Sequence, residues 1–240
     1  MQPLHAEVGF RQALSHPAVY RLLIVGLLAA LLTWAFILIS SEMMEGDTRA
    51  FDITILHAAQ SLRLGHPWLA EVMRDLSGLG STTVLTLFTV VAVGYLAMIR
   101  ARLTALLVVA AVVTGSVGVS LLKAHFGRPR PDAGFAELIA LGLSFPSGHA
   151  AMSAIVFLTV AALLANTRTR AIEHTYILAM ATLMALLVGL SRIALGVHWA
   201  TDVAAGWAVG AAWALAWLVF ARRLSQPHAG NIVERRPDES

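Results

Sequence analysis

Three short clusters in the second half of the chain carry side chains whose types and spacing suit chemistry on an anion. The first, Lys123-Ala-His125-Phe-Gly-Arg128-Pro-Arg130-Pro131, sets three permanent cations within eight residues and offers no neighbouring carboxylate before Asp132. The second reads Ser144-Phe-Pro146-Ser147-Gly148-His149, and the third reads Ser191-Arg192, five residues, His198, three residues, Asp202. Each has an ordinary reading beside the chemical one. Uncompensated cations at a membrane face invite an anion, or they snorkel to anionic headgroups. Pro146 and Gly148 frame a helix start with Ser147 as an N-cap residue. The free N–H groups and dipole of that start favour phosphate, and His149 in the first turn would stand beside it. An ordinary capped helix with an interfacial histidine has the same sequence.

The third cluster says most. His198 and Asp202, four apart, can share one helical face. A carboxylate on one imidazole nitrogen fixes the tautomer and makes the other nitrogen a better nucleophile or base. The pair could instead merely satisfy each other inside a bundle, but that leaves Arg192, a cation with a bidentate fork, and the second histidine unexplained. Two histidines and an aspartate could ligate a metal in principle. Lys123, Arg128, Arg130 and Arg192 would repel a dication, and no carboxylate cluster offsets them. The expectation is an anion site with no metal and no cofactor.

The elements that must position these clusters are apolar runs. Of 240 residues, 58% are hydrophobic and 13% charged, against about a quarter charged in a soluble domain, and mean hydropathy is +0.75. That excludes an ordinary soluble domain. The pI of 9.9 would suggest nucleic acid in a soluble chain, but the 17 Lys and Arg sit at the edges of apolar runs, where they orient a membrane protein. No nucleic-acid partner is expected. The absence of cysteine removes disulfide frameworks, thiolate zinc sites, iron–sulfur clusters and thiol nucleophiles.

About 20 apolar residues cross the hydrocarbon core. The pattern predicts an all-α polytopic protein with six transmembrane helices near 21–40, 82–99, 103–122, 149–165, 174–191 and 200–220. They form one membrane-embedded domain over 1–240, with the first span an uncleaved signal anchor and residues 225–240 a flexible polar tail. Ten cations, Arg11, Arg21, Arg100, Arg102, Arg168, Arg170, Arg222, Arg223, Arg235 and Arg236, fall on one side. Both termini are therefore expected in the cytoplasm. The other side holds the three clusters, with Arg49, Arg63 and Arg74 diluted by Glu42, Glu45, Asp47, Asp52, Glu71 and Asp75, and should face the periplasm or the outside. Residues 41–81 are too many for a turn. Trp68, Leu69, Val72, Met73 and Leu76 form a stripe opposite Glu71, Arg74 and Asp75, predicting a short helical insertion between spans 1 and 2, either interfacial or packed on the bundle. Gly206 and Gly210 permit close helix packing, within one chain or between two.

Taken together, the clusters resemble the tripartite signature of the type 2 phosphatidic acid phosphatase family: Lys, six residues, Arg-Pro; Pro-Ser-Gly-His; Ser-Arg, five residues, His, three residues, Asp. Every fixed position is present in order within residues 123–202. The resemblance implies a metal-independent membrane phosphatase. It makes His198 the nucleophile, forming a phosphohistidine, Asp202 its orienting carboxylate, and His149 the group that protonates the leaving oxygen. Lys123, Arg130, Ser147, the Gly148 backbone N–H and Arg192 would hold the phosphate oxygens. Arg128 also precedes a proline, but its spacing from Lys123 is wrong for the family position, which ranks it below Arg130. The implied partners are membrane lipids and a lipid phosphate or diphosphate. Undecaprenyl diphosphate is favoured by analogy with carrier-lipid recycling, with phosphatidylglycerophosphate or phosphatidic acid as the alternative, in a bacterial inner membrane. Vanadium-dependent haloperoxidases share such a pocket but are soluble. A lipid-phosphate binder without turnover would not need both histidines and Asp202.

Overall fold

The computed structural model describes residues 17–165 and 170–224. Its regular structure there is helical: α1 (Pro17–Glu45), α2 (Arg49–Gly65), α3 (Trp68–Gly78), α4 (Thr82–Met98), α5 (Arg102–Phe126), α6 (Gly148–Ala165), α7 (Ala171–Ala194) and α8 (Ala200–Leu224), with one 3-10 turn at Ala133–Phe135. The tail expected at 225–240 and the cations Arg11, Arg168, Arg235 and Arg236 lie outside the described residues.

Among the described residues, four helices are long and apolar enough to cross a membrane: Leu22–Glu45 within α1, then α5, α7 and α8. α4 passes only together with α3, from which it bends by 44°, and α6 is a shorter apolar helix, Gly148–Leu164. The limits follow local chemistry. Ser81 accepts the Val84 N–H at 3.3 Å and starts α4. Gly127, at φ 61°, ends α5 in the left-handed conformation that glycine adopts without a Cβ penalty.

The segment 41–81 differs from the single short insertion expected. It holds two helices, and α2 is the unexpected one. Its sequence mixes Asp52, His57, Gln60 and Arg63 into an apolar pattern too weak to separate from a loop, yet Asp52, Leu56 and Arg63 are its buried residues. α3 carries the stripe that the sequence suggested. It packs against α7, with Leu69, Met73 and Leu76 half-buried and Trp68 exposed.

α6 is the axis of the bundle, packed on α5, α7 and α8. Small residues let it sit close. A Cβ on Gly206 would lie 2.8 Å from the Ser147 carbonyl oxygen, and one on Gly210 would lie 2.5 Å from that of Ala151. The Gly206–Gly210 pair therefore serves a contact within the chain, between α8 and α6. Trp207 similarly lies against Gly189 of α7 and donates its indole N–H to the Ala185 carbonyl at 2.9 Å. α1 packs on α8, and its Phe36 ring stacks at 6.0 Å on fully buried Phe145, just ahead of Pro146 and Ser147.

Candidate active site

The end of α5, the start of α6, the end of α7 and the start of α8 meet at one end of the bundle, and with them the three motif clusters. His198 lies in the link before α8, 1% exposed. Its Nδ1 is 3.3 Å from Asp202 Oδ2. Asp202 stands in the first turn of α8, where Oδ2 also accepts the Trp199 backbone N–H at 3.0 Å and the Ser144 hydroxyl. The carboxylate is thus fixed by the helix start as well as by its partners. Ser144 Oγ reaches His198 Nδ1 at 3.3 Å too. An acceptor at Nδ1 favours the tautomer that carries its proton there and leaves the lone pair on Nε2. Nε2 is 3.0 Å from Arg130 Nη1, which also donates to the Val197 carbonyl at 2.8 Å, while Arg130 Nε donates to Gly142 at 3.1 Å.

Burial dominates the electrostatics of the link. It lowers the His198 pKa to about 4, opposed by the hydrogen bond and charge of Asp202 and aided by the charges of Arg130 and Arg192. Burial also lowers the Arg130 guanidinium from its ordinary value, against the pull of Asp202. The ring is neutral at pH 7, which is the state a nitrogen nucleophile needs.

The remaining expected residues lie around this pair. Lys123 donates to the Leu143 carbonyl at 2.9 Å and the Ser144 carbonyl at 3.3 Å, and its Cε would meet a Cβ on Gly148 at 3.4 Å. Arg192, 5% exposed, donates from Nη1 to Ser77 of α3 at 2.6 Å and leaves Nε without a hydrogen-bond partner. Ser147 is fully buried and its hydroxyl is also unpaired, so it does not make the side-chain cap that the sequence suggested. Its backbone N–H donates to the Asp202 carbonyl at 2.9 Å instead. His149 lies within electrostatic reach of Arg192, Arg130, Lys123 and His198. Gly80 packs beside it: a Cβ there would lie 2.3 Å from Val188 Cγ1 and 3.3 Å from His149 Cδ2. Two buried donors without partners, a lysine and a guanidinium on one polar centre are what a tetrahedral oxyanion requires.

Lys123, Gly148 and His149 also line the polar part of a cleft of about 390 Å³ between α4, α5 and α6. The rest of its wall combines Leu85, Val112, Val113, Val119, Met152 and Val156 with the hydroxyls of Thr82, Thr86, Ser116 and Ser120. One opening therefore joins the Lys123 and His149 side chains to a largely aliphatic cleft beside the membrane-length helix α5.

Sequence reasoning missed several supporting residues. Arg128 donates from Nη1 to Asp202 Oδ1 and from Nη2 to Asp52 Oδ2, both at 2.7 Å. Arg63 of α2 donates to the carbonyls of Ala194 and, at 2.6 Å, Phe135, tying α2 to both sides of the site. Only Ser144 and Arg128 stood inside a motif cluster. Asp52, Arg63 and Ser77 lie at least 46 residues before Lys123 and carry no local signal.

The model of the PAP2 superfamily matches residues 102–226. Phosphatidylglycerophosphatase B of Bacillus subtilis is 32% identical over 73% of this chain and 85% of its own length. Decaprenylphosphoryl-5-phosphoribose phosphatase of Mycobacterium tuberculosis is 31% identical over 67% of this chain and 85% of its own. Among solved structures, the transmembrane PAP2-type phosphatidylglycerolphosphate phosphatase of Bacillus subtilis superposes with a TM-score of 0.77 at 27% identity, over 82% of this chain and 98% of that one. LpxE of Aquifex aeolicus gives a TM-score of 0.54, also at 27% identity, over 69% and 93%.

Proposed function

Because the chain belongs to the PAP2 superfamily, we propose that it removes the terminal phosphate of a membrane lipid phosphate, without a metal, through a phosphohistidine on His198. The observation that carries this reading is the cleft, whose charged end is formed by Lys123 and by His149, within electrostatic reach of His198, and whose walls mix aliphatic side chains with the hydroxyls of Thr82, Thr86, Ser116 and Ser120. A soluble phosphate ester has no use for the apolar part. A lipid places its phosphate at one end and its chain along the other.

In the first step Nε2 of His198 forms a bond to phosphorus as the bond to the leaving oxygen breaks, and His149 gives that oxygen a proton. Arg130, now within reach of Nε2, turns its N–H groups to the phosphate oxygens and frees the lone pair. Lys123, Arg192, Ser147 and the Gly148 N–H share the remaining charge, which is the main demand of phosphoryl transfer. In the second step water attacks phosphorus, His149 takes its proton, the N–P bond breaks and inorganic phosphate leaves.

Six spans accommodate this arrangement if α4 and α6 cross as well. α6, at about 27 Å for its 18 residues, is short only beside a core of about 30 Å. Arg100, Arg102, Arg170, Arg222 and Arg223 lie at the helix ends opposite the site, which supports cytoplasmic termini and a site facing outward from an inner membrane. The relatives' names cover a glycerophospholipid phosphate and a polyprenyl phosphate ester. Undecaprenyl diphosphate remains the favoured substrate, with phosphatidylglycerophosphate and phosphatidic acid beside it. The test is phosphate release from these three lipids by purified chain in EDTA, with His198→Ala alongside. Release that EDTA spares and the substitution abolishes supports the reading; a native chain inactive on every lipid phosphate overturns it.

A further inference from the structure

Asp52 is outside every motif cluster, yet it is 1% exposed and fully engaged. Its Oδ1 accepts the Thr201 backbone N–H at 2.9 Å, in the first turn of α8. Its Oδ2 accepts the Thr201 hydroxyl at 2.6 Å and Arg128 Nη2 at 2.7 Å. Arg128 in turn spans the gap to Asp202 Oδ1 and also donates to Thr201 Oγ1 at 2.9 Å, while its guanidinium lies 5.3 Å from the centre of the Trp199 ring. Both terminal nitrogens of Arg128 are therefore committed to carboxylates, and the phosphate is left to Arg130, Arg192 and Lys123.

We propose that Asp52 is a positioning residue for phosphoryl transfer: through Arg128 it fixes Asp202 against His198 and keeps Asp202 from being neutralised by an undivided cation. This rests on the phosphohistidine reading above. One guanidinium lies between two carboxylates whose side chains are both 0% exposed. The cluster thus carries one unbalanced negative charge. When Nε2 bonds phosphorus the His198 ring becomes cationic, and that charge supplies the balance. A neutral residue at position 52 would leave Arg128 paired with Asp202 alone. The carboxylate would then hold the cationic ring less strongly, and the loss would fall on the transition state rather than on lipid binding. The other charged groups acting on His198 are Arg130 and Arg192, with His149 also facing it, and none of them touches Asp52.

The test uses the purified full chain on whichever of the three lipids the native enzyme turns over fastest. Asp52→Asn should lower kcat by about ten- to a hundredfold with KM within about twofold, the loss of one charge-assisted interaction made at the reacting centre. The acid limb of its kcat/KM profile should move to lower pH. Arg128→Lys keeps the charge but not the fork, and should lose kcat in the same way. The double variant Asp52→Asn with Arg128→Gln should lose no more than the worse of its two singles. Native kcat in Asp52→Asn, a change in KM alone, or losses that multiply in the double variant would overturn the proposal. If Asp52→Asn yields no folded protein, Arg128→Lys decides alone: native kcat and pH profile overturn the proposal, and a loss of kcat supports it. An inactive native chain would fail the functional reading instead.

Discussion

Nδ1 of His198 faces a carboxylate and Nε2 a guanidinium, and this asymmetry decides what the ring can do. Burial holds its pKa down to about 4, and only the unprotonated ring can attack phosphorus. The sign is therefore fixed. Activity is present above that value and lost as pH falls through it, so the acid limb of kcat/KM should lie well below the ordinary histidine value of about 6.5. A pH–rate profile corrected for the substrate's own titration checks this, and a limb at or above 6.5 counts against it. His149 has a different task. An alkoxide leaving from a monoester needs a proton far more than a phosphate leaving from a diphosphate. His149→Ala should cut phosphatidic acid hydrolysis by about 10²–10⁴-fold and undecaprenyl diphosphate hydrolysis by much less. Equal losses on the two substrates would remove His149 from the role of general acid.

The helices place these residues through close approaches of backbone. A side chain at Gly210 meets the Ala151 carbonyl, which α6 cannot move without shifting Ser147 and His149 one turn earlier. Gly210→Val should destabilise the bundle by about 1–3 kcal/mol, while Gly118→Ala, with no atom within 4 Å of the added methyl, should leave the melting temperature unchanged or raised. Thermal unfolding in detergent distinguishes them. Most of this scaffold was legible in the sequence, because membrane spans announce themselves by length and apolarity and the three motifs name their own residues. α5, α7 and α8 appear within a few residues of where hydropathy puts them. α2 was not legible. Its buried residues include Asp52 and Arg63, whose partners are Arg128 and the Ala194 and Phe135 carbonyls, and a charge that finds its partner 70 or more residues away looks like a surface charge until the chain is folded. The same holds for Ser77, which Arg192 reaches from α7.

At the scale of the whole molecule, the candidate site residues gather at one end of the bundle, and Arg100, Arg102, Arg170, Arg222 and Arg223 lie at the other. A chain with no cysteine allows this to be read directly with single cysteines. Ile139→Cys, at a site 91% exposed beside the active end, should react with a membrane-impermeant maleimide added to intact cells. Arg170→Cys, exposed at the opposite end, should react only after the membrane is opened. The reverse pattern would turn the protein over in the membrane. The central claim is that phosphorus passes through His198, and rapid acid-free quenching during turnover of a lipid carrying ³²P in its terminal phosphate tests it most directly. The account predicts transient label, stable to alkali and labile to acid, on the peptide that contains His198, and neither label nor turnover in His198→Ala. Continued phosphate release by His198→Ala would contradict it.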